Sequence, residues 1–96
     1  MYARLICGNW ADIALPFSDS TRQTVRELHL AVKALPGNQS YIGAVDRATG
    51  RAMSVSVWDT EEHARFPADA LGDLPARLES LGLQVQSSEI MEVTEI

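Results

Sequence analysis

The segment from Tyr41 to Trp58, YIGAVDRATGRAMSVSVW, constrains the fold more than any other part of this chain. Two runs rich in β-branched and aromatic residues flank Ala48-Thr49-Gly50, and Gly50 can adopt the positive φ that a chain reversal needs. The pattern predicts a β-hairpin. The next stretch, Asp59-Thr60-Glu61-Glu62, combines a capping side chain with a glutamate three residues later, as helix starts do. The hairpin therefore leads directly into a helix.

The second arm of the hairpin alternates between two kinds of side chain. The apolar face carries Met53, Val55 and Val57. The opposite face is small and partly polar apart from one indole, and it carries Ala52, Ser54, Ser56 and Trp58.

The segments before the hairpin predict a strand and a helix. Residues 2–10 read as an inner strand, because large apolar side chains fall on both of its faces. A capping box of Ser20 and Gln23 starts a helix that continues to Leu35, and Pro36-Gly37 ends it.

The segments after the hairpin predict a broken helix and a last strand. The helical region from Thr60 to Leu81 is interrupted by Pro67, Gly72 and Pro75, so its first piece is expected to end at about Phe66. Residues 83–95 form the last strand, with one face made by Val85, Ser87, Glu89, Met91 and Val93.

The resulting order, β-α-β-β-α-β, predicts a ferredoxin-like α+β fold with a four-stranded antiparallel sheet and both helices on one face. The 96 residues have room for one domain, spanning 1–96. Because the strands are apolar on both faces, a second copy of the chain is expected to cover the face without helices, which makes a homodimer.

Composition excludes several classes of partner. A net charge of −5 with only 8 scattered Lys and Arg argues against nucleic acid and against an anionic membrane surface. No apolar run reaches the roughly 18 residues of a membrane span. Cys7 is the single cysteine, which excludes an internal disulfide and suits a reducing cytoplasm. A cytoplasmic location is the expectation.

The motifs resemble one known family. The opening YAR strand, Leu35-Pro36-Gly37 after the first helix, and AVDRATGRAMSVSVWDTEEHAR resemble the antibiotic biosynthesis monooxygenase (ABM) superfamily, and in particular its small actinobacterial members. The resemblance implies a dimeric α+β barrel with a cavity for an apolar or aromatic ligand. It also implies cofactor-independent oxidation of aromatic, polyketide-like phenols. The haem-degrading branch is disfavoured, because its helix Trp and His would fall near Pro67 and Arg77.

Oxidation without a cofactor requires groups that stabilise a phenolate and the reduced oxygen species. Asn9, Trp58 and His63 are the candidate catalytic residues, with His63 as the base. Each also has a structural interpretation, because Asn is common in turns, Trp is usually buried and a helix-start His is usually solvated. No metal-ligand spacing is present, and no cofactor is expected.

Trp10, Tyr41, Ser54, Ser56 and Arg4 are the candidate ligand-binding residues. Trp10 offers an indole for stacking, and Tyr41 and Arg4 offer hydrogen-bond donors. The serines either line a cavity or simply make room for a helix or partner sheet, because a strand pattern does not say which face is the cavity.

Two further positions complete the sequence-based expectations. His29, on the flank of the first helix, is expected at the surface. Cys7 lies among apolar residues and is expected to be an inert thiol.

Three functions remain open at this point. The chain is a small-molecule-binding barrel that oxidises its ligand, a polyketide cyclase or isomerase on the same scaffold, or a non-catalytic ligand-binding or structural dimer.

Overall fold

The computed structural model describes residues 1–95, with the side chain of Ala68 left aside. Its strands are β1 (Tyr2–Trp10), β2 (Asn38–Val45), β3 (Arg51–Trp58) and β4 (Leu83–Glu92), and its helices are α1 (Asp19–Lys33), α2 (Glu61–Ala64) and α3 (Leu74–Ser80). Short 3-10 helices cover Leu15–Phe17 and Ala68–Leu71. The sheet has the order β2-β3-β1-β4, and all neighbouring strands are antiparallel. The predicted ferredoxin-like fold is confirmed.

The pairing register separates the two faces of the sheet as the alternation predicted. Ile6 pairs with Ser54 and Ser54 with Gly43, on the face that the helices cover. Leu5 pairs with Val55 on the opposite face. That open face is largely apolar, and it includes Met53 and Met91, which are 42% and 50% exposed.

Helix α1 begins two residues earlier than the sequence predicted. Ser18, and not Ser20, is its N-cap, and the Ser18 hydroxyl accepts a hydrogen bond from the Thr21 backbone N–H and contacts the Thr21 hydroxyl at 2.9 Å. The extended backbone of Ser18 after a 3-10 turn explains the difference, because an N-cap needs a non-helical conformation. The helix ends at Lys33, before the Gly37 turn at φ 80°.

The hairpin between β2 and β3 turns over residues 46–50, a wider loop than the predicted 48–50. The Asp46 carboxylate accepts a hydrogen bond from the Ala48 backbone N–H at 2.8 Å, and Gly50 N–H donates to Asp46 C=O at 2.9 Å. Gly50 adopts φ 78°, as the sequence predicted.

The second crossover is broken, as predicted, but its first piece is shorter than expected. Thr60 caps α2 through a hydrogen bond from His63 N–H at 3.1 Å, and the helix ends at Ala64, not Phe66. Three short helical segments therefore cover this part of the sheet.

Strand β4 contains an irregularity that the sequence did not predict. Gly8 pairs with Val85, but Cys7 pairs with Ser87, so one residue of β4 has no partner across the ladder. The prediction that Val85 shares a face with Ser87 is therefore wrong. Val85 lies on the helix side, while Ser87 and Met91 lie on the open face.

The buried core occupies one end of the layer between helices and sheet. Val32, Trp58 and Ala64 form its centre, and Trp58 is completely buried. Toward the Trp10 end of β1, the strand residues that face the helices are small, among them Gly8 and Ala52. A cavity separates them from the helices. In the described part of the chain, no helix is long and apolar enough to cross a membrane.

Candidate functional site

A cavity of about 760 Å³ lies between the sheet and the helices. Its sheet side contains small residues, among them Gly8, Gly43, Ala52 and Ser54. A Cβ atom placed on Gly43 would meet only open space. The volume falls within the range of small-molecule sites.

The wall of the cavity is mostly apolar and partly aromatic. Leu28, Val32 and Leu78 face it from the helices, while Trp10 and Phe66 supply rings at its ends. The Trp10 ring is buried, and its backbone N–H donates to Gly50 C=O at 2.9 Å. A wall of this kind suits a ligand with a large apolar body.

The ionisable groups inside the cavity include His29 on α1 and Tyr41 on β2. Their rings contact edge to face, with centroids 5.1 Å apart and an angle of 82° between planes. Burial raises the pKa of the Tyr41 phenol above its ordinary value, and a hydrogen bond with Ser54 opposes the rise. Tyr41 is therefore a neutral hydrogen-bond donor at physiological pH, and its ring lies beside the His29 imidazole.

His29 corrects the sequence prediction, which placed it at the surface. It is half-buried and lines the cavity. Its spacing of four residues from Val25 and three from Val32 was a signal for this, because such residues share a helix face.

Ser56 and Trp58 form a buried hydrogen-bonded pair. Trp58 Nε1–H donates to Ser56 Oγ at 2.9 Å, and the indole packs on Phe66 with ring centroids 5.1 Å apart. Ser56 borders the cavity, whereas Trp58 is a core residue that does not line it. Ser54 and Tyr41 border the cavity as well.

Arg4 lies outside this cavity and joins α2 to the sheet. Its guanidinium donates to the backbone carbonyls of Ala64 at 3.2 Å and Phe66 at 3.1 Å, and it lies over the Phe66 ring. Burial lowers the pKa of Arg4, and the nearby Arg65 charge lowers it further. The geometry is that of a structural clamp.

Asn9 lies on the opposite face of the sheet from Trp10. The two are consecutive in β1, so their side chains point to opposite faces. Asn9 pairs with Arg51 and Gln84, and its buried Oδ1 has no hydrogen-bond partner within residues 1–95. Asn9 and Trp10, a catalytic and a ligand-binding candidate from the sequence, are therefore not brought together within one chain.

His63 is turned away from the cavity. Its Nδ1 lies 2.6 Å from Asp59 Oδ1, and both side chains are more than 40% exposed. The hydrogen bond with His63 is the main cause that lowers the pKa of Asp59. Cys7 lies half-buried on the open face. Among the described residues, no cluster of three His, Cys, Asp or Glu could hold a metal ion.

These features define a ferredoxin-like α+β protein with an apolar cavity on its helix-covered face. No family model matches the chain, and no curated protein matches it. Several solved structures do share its fold.

The chain is similar to a variant of SnoaB, a cofactor-independent oxygenase from Streptomyces nogalater, with a TM-score of 0.74 and 9% identity, over 99% of this chain and 94% of that one. A candidate antibiotic biosynthesis monooxygenase from Deinococcus radiodurans aligns with a TM-score of 0.72 and 16% identity, over 100% and 95% of the two chains. A dimeric ferredoxin-like protein from an uncultured marine organism aligns with a TM-score of 0.59 and 12% identity, over 100% and 97%. The chain has the fold of the ABM-type proteins.

Proposed function

We propose that this chain is an ABM-type protein that binds a flat, apolar aromatic molecule in the cavity beside Trp10 and oxidises it without a cofactor. The observation that carries the proposal is the cavity itself, an apolar space of about 760 Å³ that contains both an imidazole and a neutral phenol. The structural likeness to a cofactor-independent oxygenase supports the reaction type.

In this proposal, His29 is the general base and Tyr41 is a hydrogen-bond donor. His29 takes the proton of a substrate phenol, and Tyr41, with Ser54 beside it, stabilises the negative charge that develops on oxygen. The phenolate ring then gives two electrons to dioxygen, and a C–O bond forms at a ring carbon that carries hydrogen, while the proton on His29 passes to the outer peroxide oxygen. Loss of the hydrogen on that carbon and cleavage of the O–O bond release water and leave a quinone. Asn9, Trp58 and His63, the candidates from sequence, do not line the cavity, and their catalytic roles stay predictions.

The proposed assembly is a homodimer that pairs the open faces of two sheets. Met91 and Met53 on that face are half-exposed, and Leu5 and Val55 lie between them in the sheet. Exposed apolar patches of this kind mark interfaces. The structural likeness to a dimeric ferredoxin-like protein supports a homodimer.

The first test of this function is the quenching of Trp fluorescence by a panel of polycyclic phenols, on wild type, Trp10→Phe and Trp58→Phe. Saturable quenching that disappears in Trp10→Phe and persists in Trp58→Phe is expected, because only Trp10 lines the cavity. Oxygen uptake is then measured with the compounds that bind. The proposal would be overturned if no compound of the panel gave saturable quenching.

A polyketide cyclase or isomerase is the second candidate, and the position of His29 favours it too. Acid–base catalysis needs a base that reaches the cavity, and His29 meets this requirement. Turnover without oxygen would support this candidate over the oxygenase.

A further inference from the structure

A small surface pocket lies where the segment after α2 meets the edge strand β4. It has a volume of about 300 Å³ and is lined by Arg4, Arg65, Ser88 and Ile90. Ser88 and Ile90 belong to β4, and Arg4 pairs with Ile90 across the ladder. None of these four residues lines the cavity beside Trp10, so the pocket is a separate site.

The guanidinium of Arg4 is held in place and still has hydrogens to donate. Its Nη1 donates to the carbonyls of Ala64 and Phe66, its Nε donates to the Ser88 hydroxyl at 3.3 Å, and its plane lies over the Phe66 ring. Within residues 1–95, its Nη2 has no hydrogen-bond acceptor. Because Ser88 Oγ accepts the bond from Arg4, the hydrogen of the Ser88 hydroxyl is also available to a ligand.

Two positive charges meet in this pocket and share one carboxylate. Among the described residues, Glu61 is the one carboxylate that pairs with either arginine, and it lies 2.7 Å from Arg65 Nη2. Burial lowers the pKa of Arg4, and the charge of Arg65 lowers it further, so the two guanidinium groups repel each other. An anion between them would relieve this repulsion, although the chain as a whole has a net charge of −5.

We infer that this pocket binds a phosphate group, whose oxygens accept hydrogen bonds from Arg4 Nη2, from the Arg65 guanidinium and from the Ser88 hydroxyl. Paired N–H groups of arginine match the oxygens of phosphate in geometry and charge. The tetrahedral shape of phosphate suits donors that approach from three residues. The bound group would join the residue after α2 to β1 and β4. This inference goes beyond the proposed function and does not depend on it.

The test is a calorimetric titration with inorganic phosphate at about pH 8, where phosphate carries close to two negative charges. Wild type is expected to bind it saturably with a Kd on the order of 1 mM at low ionic strength. Because the ligand binds the folded state, 10 mM phosphate should raise the Tm by about 5 °C. Acetate at matched ionic strength is the control for charge alone, and it should bind at least about tenfold more weakly because it has one charge and a planar shape.

Arg65→Gln is expected to weaken phosphate binding about tenfold, because it removes a charge-assisted hydrogen bond. Arg65 is exposed, so the variant should fold, and circular dichroism verifies this. Lys33→Gln is the matched control, since it removes one positive charge from an exposed residue outside the pocket. It should bind phosphate as wild type does.

Glu61→Gln is expected to change the affinity in the opposite direction. It frees Arg65 from its carboxylate partner, so phosphate should bind about threefold more tightly, as the strength of an exposed ion pair suggests. Glu62→Gln removes the same charge from the neighbouring exposed residue of α2, and its effect should be smaller.

Three results would overturn the inference. They are the absence of saturable phosphate binding by wild type, unchanged affinity in Arg65→Gln, and equal tightening in Glu61→Gln and Glu62→Gln. A parallel titration with glycerol 1-phosphate distinguishes the source of the phosphate group. Tighter binding of the ester would assign the pocket to a phosphorylated small molecule, and equal or weaker binding would assign it to free phosphate.

Discussion

At the scale of single residues, the two histidines of the chain provide a matched comparison. His29 lines the cavity and contacts Tyr41, whereas His63 is bound to Asp59 outside it. His29→Gln is expected to lower turnover about a hundredfold or more, because general-base catalysis contributes on that order. Affinity for the phenol should change much less than turnover. The measurement is oxygen uptake with a phenol that binds.

His63→Gln is the control for that experiment and should keep wild-type turnover. Loss of activity in His63→Gln together with full activity in His29→Gln would show that His63 is the base, as the sequence alone predicted.

The raised pKa of Tyr41 predicts that the free energy of unfolding depends on pH in the alkaline range. Its folded pKa is raised above the ordinary value of 10.0, so the folded protein holds the phenol proton more tightly than the unfolded chain. This contribution is complete below about pH 10 and is lost as pH rises toward the folded pKa. The free energy of unfolding of wild type minus that of Tyr41→Phe should therefore fall above pH 10, by at most about 1.4 kcal/mol per pH unit. Urea titrations from pH 8 upward measure it, and a flat difference would contradict it.

The sequence predicted residue positions in the strands better than in the helices. Strand alternation placed Ser54 and Ser56 on the face opposite Val55, and the register agrees. It did not identify His29 as a cavity residue, because the partner that covers the His29 ring is Tyr41 on β2. Tyr41 comes from another part of the chain, so the spacing along α1 alone does not reveal this contact.

At the scale of elements, the start of α1 depends on Ser18. Ser18→Ala is expected to lower the free energy of unfolding by about 1 kcal/mol, because it removes the hydrogen bond to Thr21 N–H. Ser20→Ala is the control and should be close to neutral, since Ser20 lies inside the first turn and is exposed. Chemical denaturation compares the two. The reverse order of effects would show that the cap is the one predicted from the capping box.

Two strand glycines on the helix side of the sheet differ sharply in their surroundings. A Cβ on Gly8 would collide with the Gln84 backbone carbonyl, whereas a Cβ on Gly43 would enter the cavity without contact. Gly8→Ala should cost about 2 kcal/mol or more. Gly43→Ala should be neutral or stabilising by up to about 1 kcal/mol, through the entropy of the unfolded chain. Equal effects of the two substitutions would contradict the described packing of β1 against β4.

Element order and the broken second crossover were predictable, because proline, glycine and capping residues act locally. The extra residue in β4 was not predictable, because it depends on the pairing with β1, which comes from the other end of the chain and brings Gly8 close to the Gln84 carbonyl. The alternation of side chains in β4 alone does not indicate such a pairing.

At the scale of the whole molecule, we expect the open sheet face, and not the outer surface of α1, to form the dimer interface. Met91 is 50% exposed on the open face, and Leu30 is 64% exposed on α1. Met91→Lys is expected to weaken dimerisation about tenfold or more, because a charge would enter an apolar interface. Leu30→Lys should leave dimerisation unchanged.

Light scattering over a dilution series measures both variants, with circular dichroism to verify that they fold. A monomeric wild type, or dissociation by Leu30→Lys alone, would contradict the proposed interface.

The unpaired residue of β4 allows one strand to serve two surfaces with different tasks. Before this residue Val85 faces the cavity, and after it Met91 lies on the open face of the sheet. If every residue of β4 paired in strict alternation, Val85 and Met91 would share one face of the sheet, because they are six residues apart. The unpaired residue thus lets one strand supply apolar side chains both to the cavity and to the open face of the sheet.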